Sequence, residues 1–273
     1  MIDLPVLFIH GFPFDGAMWR HQIAALSRWE RVVPDLWGAG LVNIPAAAGP
    51  FSLADQATRL VGMLDDLQVD QVVVCSQSMG GYVTFELLRA FPARVRAAIL
   101  CSTKATADTP EAKRGRDTMA AKAEREGMGA IAAELVPRLL AQVTRERQPA
   151  VVREVTTMIE RQPVYGVVVT LRALRDRPDS TPLLGQIRVP ILVVAGDEDQ
   201  ITPAEGMKEM ARAIPGAEFT VIPGSGHLSP LEQPQAVNDA VNAFLGPALS
   251  YEPLRCGFPG GFSLWKMSRF FAM

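Results

Sequence analysis

Six short apolar runs, rich in β-branched residues, punctuate the chain: Pro5–His10, Arg31–Asp35, Gln71–Ser76, Ala97–Ser102, Pro190–Ala195 and Glu218–Ile222. Between and after them lie stretches with helical period, including Ser52–Leu67, Met79–Phe91, Pro203–Ile214 and Pro234–Leu245. In the first of these helices Leu53, Ala57, Leu60, Leu64 and Leu67 form one apolar face, and Ser52 with Asp55 makes a capping-box start. Strands that are apolar without alternation are buried on both faces. Their alternation with amphipathic helices predicts an α/β fold, a mostly parallel sheet flanked by helices. A length of 273 residues and a hydrophobic content of 48% suit one large domain or a domain with an insertion.

Residues 104–185 break the pattern. They are rich in Ala, Arg and Glu and show no strand signal before Val167–Val169. They read as three or four helices, with Pro137, Pro149 and Pro163 as kinks or boundaries. Eighty residues is too long for one crossover, so this segment is expected to form a helical cap over the strand ends. Residues 1–103 and 186–246 then form the core. Residues 247–273 are a C-terminal extension with aromatics (Tyr251, Phe258, Phe262, Trp265, Phe270 and Phe271) but no helical period. A loosely docked or disordered tail is expected there, with a packing arm on a second subunit as the alternative, and no chemistry is assigned to it.

The chemistry gathers at Val74–Gly81, VCSQSMGG, between a buried strand and a helix. A sharp strand-to-helix turn holds one residue in a strained conformation above the sheet, with a helix N-terminus behind it. Backbone passes close on both sides, so the residues two before and two after must be small. Around Ser78 these are Ser76 and Gly80; around Ser76 they are Val74 and Ser78. Ser78 therefore fits as a nucleophile, and Ser76 is the small residue such a turn needs. Whether the Ser76 hydroxyl also forms a hydrogen bond stays open at this level.

A serine needs a base. The chain has three histidines. His227, in PGSGHL after the last strand, can swing over the strand ends. His21 lies on an amphipathic helix and is expected in solvent, and His10 ends the first strand as a loop brace. Residues 196–203, GDEDQITP, follow a strand and offer carboxylates to orient the imidazole. An acyl transfer also needs two donors aimed at the oxyanion. Met79 N–H at the helix start is one candidate, and Phe12 N–H in His10-Gly11-Phe12-Pro13 is the other.

Together these segments resemble the α/β-hydrolase superfamily over residues 5 to about 246. HGFP is similar to its oxyanion loop, SQSMGG to its nucleophile elbow, GDEDQITP to its acid loop and GSGH to its histidine loop. The resemblance implies Asp199, in the fourth position of the acid loop, as the catalytic acid. It lies closest to small carboxylesterases, cofactor-free perhydrolases and 3-oxoadipate enol-lactonases. The chain departs from the pattern at Ser76, where glycine is usual, and at Trp37, where arginine is common. It also begins at the third strand of the family, so the expected strand order is 4-3-5-6-7-8 with Arg31–Asp35 at the edge.

The resulting expectation is a serine hydrolase of a carboxylic ester or lactone. Ser78, His227 and Asp199 form the triad, Phe12 and Met79 the oxyanion hole, and Phe14 and Trp37 contact the substrate. No metal or organic cofactor is implied. C–C bond hydrolysis of a diketone, or perhydrolysis, by the same triad is the alternative. A hydrolase-fold ligand-binding protein with little turnover is the alternative of another class. Arg172 and Arg175 are candidates for a substrate carboxylate, weighed against a place in solvent. A net charge of −2 lacks the basic field that nucleic acid or an anionic membrane would require. Cys75, Cys101 and Cys256 are too scattered for a disulfide framework, with Cys75 and Cys101 read as core thiols. No signal segment or spanning helix is visible, so a cytoplasmic enzyme with a small-molecule substrate is expected. Oligomeric state stays open, a homo-oligomer included.

Overall fold

A computed structural model describes residues 4–44 and 51–249. Nearly all of the 247–273 extension, Cys256 included, lies outside the described residues.

The six apolar runs form β1 (Val6–Ile9), β2 (Arg31–Val32), β3 (Val72–Gln77), β4 (Val95–Cys101), β5 (Ile191–Gly196) and β6 (Glu218–Ile222). They pair in parallel in the order β2-β1-β3-β4-β5-β6, the order expected from the sequence. The edge strand is shorter than expected. Only Arg31 and Val32 pair with β1, and Pro34, with no N–H to donate, lies beyond the ladder. Successive side chains feed two cores, one on each face. Val6, Phe8, Val73 and Cys75 enter one, and Leu7, Ile9, Val72 and Val74 the other. Both strand cysteines are free, buried thiols, and burial pushes the Cys75 thiol well up.

The helices are α1 (Arg20–Ala25), α2 (Leu53–Asp66), α3 (Met79–Ala90), α4 (Pro110–Leu139), α5 (Gln142–Arg147), α6 (Pro149–Glu160), α7 (Val164–Asp176), α8 (Thr181–Leu184), α9 (Ala204–Arg212), α10 (Ser229–Glu232) and α11 (Pro234–Leu249). The capping box of α2 is complete: Asp55 N–H reaches Ser52 Oγ at 3.3 Å and Ser52 N–H reaches Asp55 Oδ2 at 2.8 Å. Among the described residues no helix is long and apolar enough to cross a membrane.

Five helices, α4 to α8, intervene between β4 and β5. Pro149 opens α6 and Pro163 caps α7, but Pro137 sits inside α4, whose break falls instead at Gly127 with φ 76°. The strand-like Val167–Val169 is part of α7. Buried Val167, Leu171 and Leu174 continue its stripe at helical spacing, and that longer period wins over the β-branched triplet. His21, expected in solvent, is half-buried on α1.

The insertion leaves and re-enters the sheet through a narrow neck. Ser180 N–H donates to Ala105 O at 2.8 Å, and Arg177 Nη2 donates to Thr106 O at 2.9 Å. Arg177 also pairs with Asp108 at 2.8 Å, with side chains 3% and 0% exposed, and lies 4.1 Å from the centre of the Tyr82 ring. Arg116 reaches the other Asp108 oxygen at 3.0 Å. Burial raises the Asp108 carboxyl, but the two arginines outweigh it and hold the group below the usual carboxylate range. Asp108→Ala strands the Arg177 charge in the interior and is expected to cost about 3 kcal/mol in urea unfolding. Glu111→Ala, which removes an exposed pair with Arg114, should leave the urea midpoint close to that of the wild type.

Candidate active site

β3 runs into α3 through Ser78, whose backbone is held at φ 50° and ψ −109°. That left-handed geometry costs a non-glycine residue about 1–3 kcal/mol and persists only where neighbours over-determine it. Here they do. Ser78 N–H donates to Cys101 O at 2.9 Å, and Ser78 O accepts from Thr103 Oγ1 at 2.8 Å. A Cβ on Gly80 would lie 2.3 Å from Ile9 O, and one on Gly81 would lie 2.4 Å from Thr103 Oγ1. The two glycines therefore let α3 start directly against the ends of β1 and β4. Ser76 is fully buried in β3, and its Oγ donates to Ile99 O of β4 at 3.1 Å. The two serines thus separate, Ser76 facing the sheet and Ser78 standing half-buried above it.

His227 follows β6 in a loop that folds back over the end of β5. The fit requires Gly196, where a Cβ would lie 2.1 Å from Gly226 O. His227 Nε2 lies 2.9 Å from Ser78 Oγ, and Nδ1 lies 2.8 Å from Asp199 Oδ2. Asp199 accepts further bonds from Ile201 N–H (2.8 Å), Thr202 N–H (2.9 Å) and Thr202 Oγ1 (2.7 Å). Burial raises its carboxyl, but the positive charge of a protonated His227 and these hydrogen bonds outweigh it and bring it down to about 2. Asp197 is exposed and accepts the Ser225 N–H at 3.1 Å. Such a chain of contacts can take the Ser78 proton onto Nε2 while a fixed anion steadies the ring.

The loop after β1 lies on the other side of Ser78. His10, wholly buried, accepts Leu36 N–H at Nε2 (2.9 Å), so Nδ1–H is left to donate to Gly11 O at 2.9 Å. It braces the HGFP loop against the loop after β2. Phe12 and Met79 border one pocket, together with His10, Phe14, Trp37, Gly38 and, from the insertion, Gln162, Val167 and Thr170. Gln162 is itself held, with Oε1 accepting Gly40 N–H at 2.9 Å and Nε2 donating to Asp15 at 2.9 Å. Trp37 is fixed by a two-way amide pairing with Gln56 at 3.1 and 3.0 Å. Among the described residues none lining the pocket is Lys or Arg. Arg175 is paired outside with Asp117 and Asp176, and Arg172 lies 3.8 Å from Glu124. No group of three or more His, Cys, Asp or Glu among the described residues is arranged to hold a metal ion.

Residues 6–240 match the sequence profile of the alpha/beta hydrolase family. The chain belongs to that family. This hydrolase is 29% identical to 3-oxoadipate enol-lactonase 2 of Acinetobacter baylyi, over 89% of each chain. A thermophilic esterase from Thermogutta terrifontis superposes with a TM-score of 0.86 at 41% identity, covering 90% of both chains. The enol-lactonase from Burkholderia xenovorans LB400 superposes at 0.82 with 28% identity, over 89% of this chain and 92% of that one.

Sequence reasoning passed over three residues of the hydrolase's site. Thr202, three after Asp199, is legible in hindsight, because D-x-x-T ahead of a helix is an Asx-turn pattern. Gln77, whose Nε2 donates to His227 O at 2.5 Å, and Glu232, buried beneath the histidine loop, carry no local signal.

The brace at His10 makes a pH prediction. Burial holds its imidazole below the ordinary 6.5, so the unfolded chain takes up a proton that the folded chain refuses. Its contribution is therefore full above about pH 6.5 and is lost as pH falls toward the folded value. The thermal midpoint should fall between about pH 7 and pH 5.5, and fall less in His10→Gln, because glutamine at position 10 does not titrate in that window.

Proposed function

We propose that this hydrolase cleaves small, uncharged carboxylic esters through a Ser78–His227–Asp199 triad. The observation that carries the reading is the continuous hydrogen-bonded line from Ser78 Oγ through the imidazole to Asp199, at 2.9 and 2.8 Å. Ser78 Oγ bonds to the substrate carbonyl as its proton passes to His227 Nε2. Phe12 and Met79 N–H groups hold the oxyanion. His227 returns the proton to the leaving alkoxide as the ester C–O bond breaks. Water then attacks the acyl-enzyme, gives a proton to Nε2, and the acid leaves as Ser78 regains its hydrogen. Asp199 stays ionised throughout, which its low pKa favours. The helices between β4 and β5 serve as the cap that closes the pocket.

The limit to uncharged esters rests on the pocket. It is lined mostly by apolar groups, among them Phe12, Phe14, Leu36 and Val167. It also offers no cation to a substrate carboxylate, which would enter desolvated and unpaired. Arg172 and Arg175, the candidates for that role, pair with acidic side chains outside it.

Ser78→Ala should lower kcat for p-nitrophenyl butyrate by about 10⁴-fold or more and end labelling by a fluorophosphonate. Labelling of that variant at Ser76 would move the nucleophile. Asp199→Asn should lose most activity and Asp197→Asn little; the reverse result would move the acid. p-Nitrophenyl butyrate should exceed the matching ester with a terminal carboxylate by about tenfold or more in kcat/KM. Equal or better use of the charged ester would overturn the substrate assignment.

A further inference from the structure

Glu232 lies in α10, is 2% exposed and takes no part in the proton transfers above. Its two carboxylate oxygens face different parts of the chain. Oε1 accepts Gly226 N–H at 2.9 Å and Leu228 N–H at 3.1 Å, the residues on either side of His227. Oε2 accepts Ala141 N–H, from the insertion just before α5, at 2.8 Å. A carboxylate this buried is retained only if its acceptors are filled, and removing it would leave three buried N–H groups without partners.

The same short stretch of the insertion makes two further contacts with the reactive loops. His227 N–H donates to Leu139 O at 2.8 Å, and Gln142 N–H donates to Glu198 Oε2, beside Asp199, at 3.0 Å. The packing is close: a Cβ on Gly226 would lie 2.7 Å from Ala141 N and 2.9 Å from Leu139 O. From below, Gln77 holds the His227 carbonyl. The loop that carries the imidazole is therefore attached to the insertion about as firmly as to its own strand.

The geometry points to Glu232 as a positioning residue, a two-sided staple that ties the His227 ring to the insertion, so that a shift of residues 139–142 takes the base out of line with Ser78. This rests on the reading of His227 as the base. A displacement of about 1 Å in such a group is enough to cost on the order of 100-fold in rate.

Glu232→Gln tests it, because glutamine keeps the shape but has one acceptor oxygen and so serves one side of the staple. Ala141→Pro tests the insertion side by displacement, since its ring Cδ replaces the amide hydrogen and presses on Glu232 Oε2, 2.8 Å from Ala141 N. It removes the N–H that Oε2 accepts, at a residue already at φ −56° and preceded by an extended Leu140. In the full chain, kcat for p-nitrophenyl butyrate and the rate of fluorophosphonate capture at Ser78 should fall together in Glu232→Gln by about 10- to 100-fold, with KM within about twofold. Ala141→Pro should fall in the same direction with its circular dichroism spectrum unchanged. A Glu232→Gln enzyme within about twofold of wild type in both rates overturns the proposal. So does a wild-type rate in Ala141→Pro, which also decides the matter should Glu232→Gln fail to fold. If the wild-type chain neither turns over p-nitrophenyl esters nor is captured at Ser78, the triad reading itself fails, a result distinct from either variant's.

Discussion

The close approach of Gly80 to the carbonyl of Ile9 organises this molecule. It lets the first turn of α3 lie directly on the end of β1, where the HGFP loop departs. Met79, which opens the helix, and Phe12, which follows the strand, consequently share one wall of one pocket. The same approach forces the chain at Ser78 into its left-handed turn, and hydrogen bonds from β4 and Thr103 hold it there. Strain at one residue is offset by ordinary backbone bonding in the strands around it.

The other half of the site depends on a second contact between backbones, Gly196 against Gly226. It brings the loops after β5 and β6 within hydrogen-bonding distance, so Asp199 and His227 meet although 28 residues separate them. The Asp199 carboxylate is then saturated by Thr202 and its neighbours, leaving its orientation no freedom. Each loop is short, the first leaving the wholly buried β5 and the second the partly exposed edge strand β6.

The strands and the fit of Ser78 to its turn were legible because each leaves a local mark, whereas the strand order and the choice of Asp199 came from the family resemblance. β-branched runs are continuous, small residues flank the turn, and the acid and histidine follow strands in a fixed order. Smallness also picked out Ser78, and not Ser76, as the residue at the strained turn. The hydroxyl of Ser76 adds a bond across to β4 that no reading of the chain alone could supply. What stayed hidden depends on partners distant in sequence. Glu232 in SPLEQP carries no local signal, yet it is buried because backbone donors from two segments distant in sequence share it as acceptor. Val167–Val169 misled for the opposite reason, since a local β signal lay inside a longer helical stripe. The break in α4 falls at Gly127, where an added Cβ would meet open space, so glycine's tolerance of positive φ decides and proline does not.

The neck at Ala105 and Ser180 bears on how such a protein can diversify. Since the two crossings are bonded to each other, the sheet meets the intervening helices at nearly a single point. Changing their number or length alters loop-closure entropy by only a few tenths of a kcal/mol, on the order of (3/2)RT ln of the length ratio. Evolution can therefore exchange these helices as a module without renegotiating the sheet. The exception is the stretch around Leu139–Gln142, which lends its N–H and carbonyl groups to the loops beneath. Gln162, bonded to Gly40 and Asp15, and Arg161, paired with Asp15, are further ties that a replacement would have to reproduce.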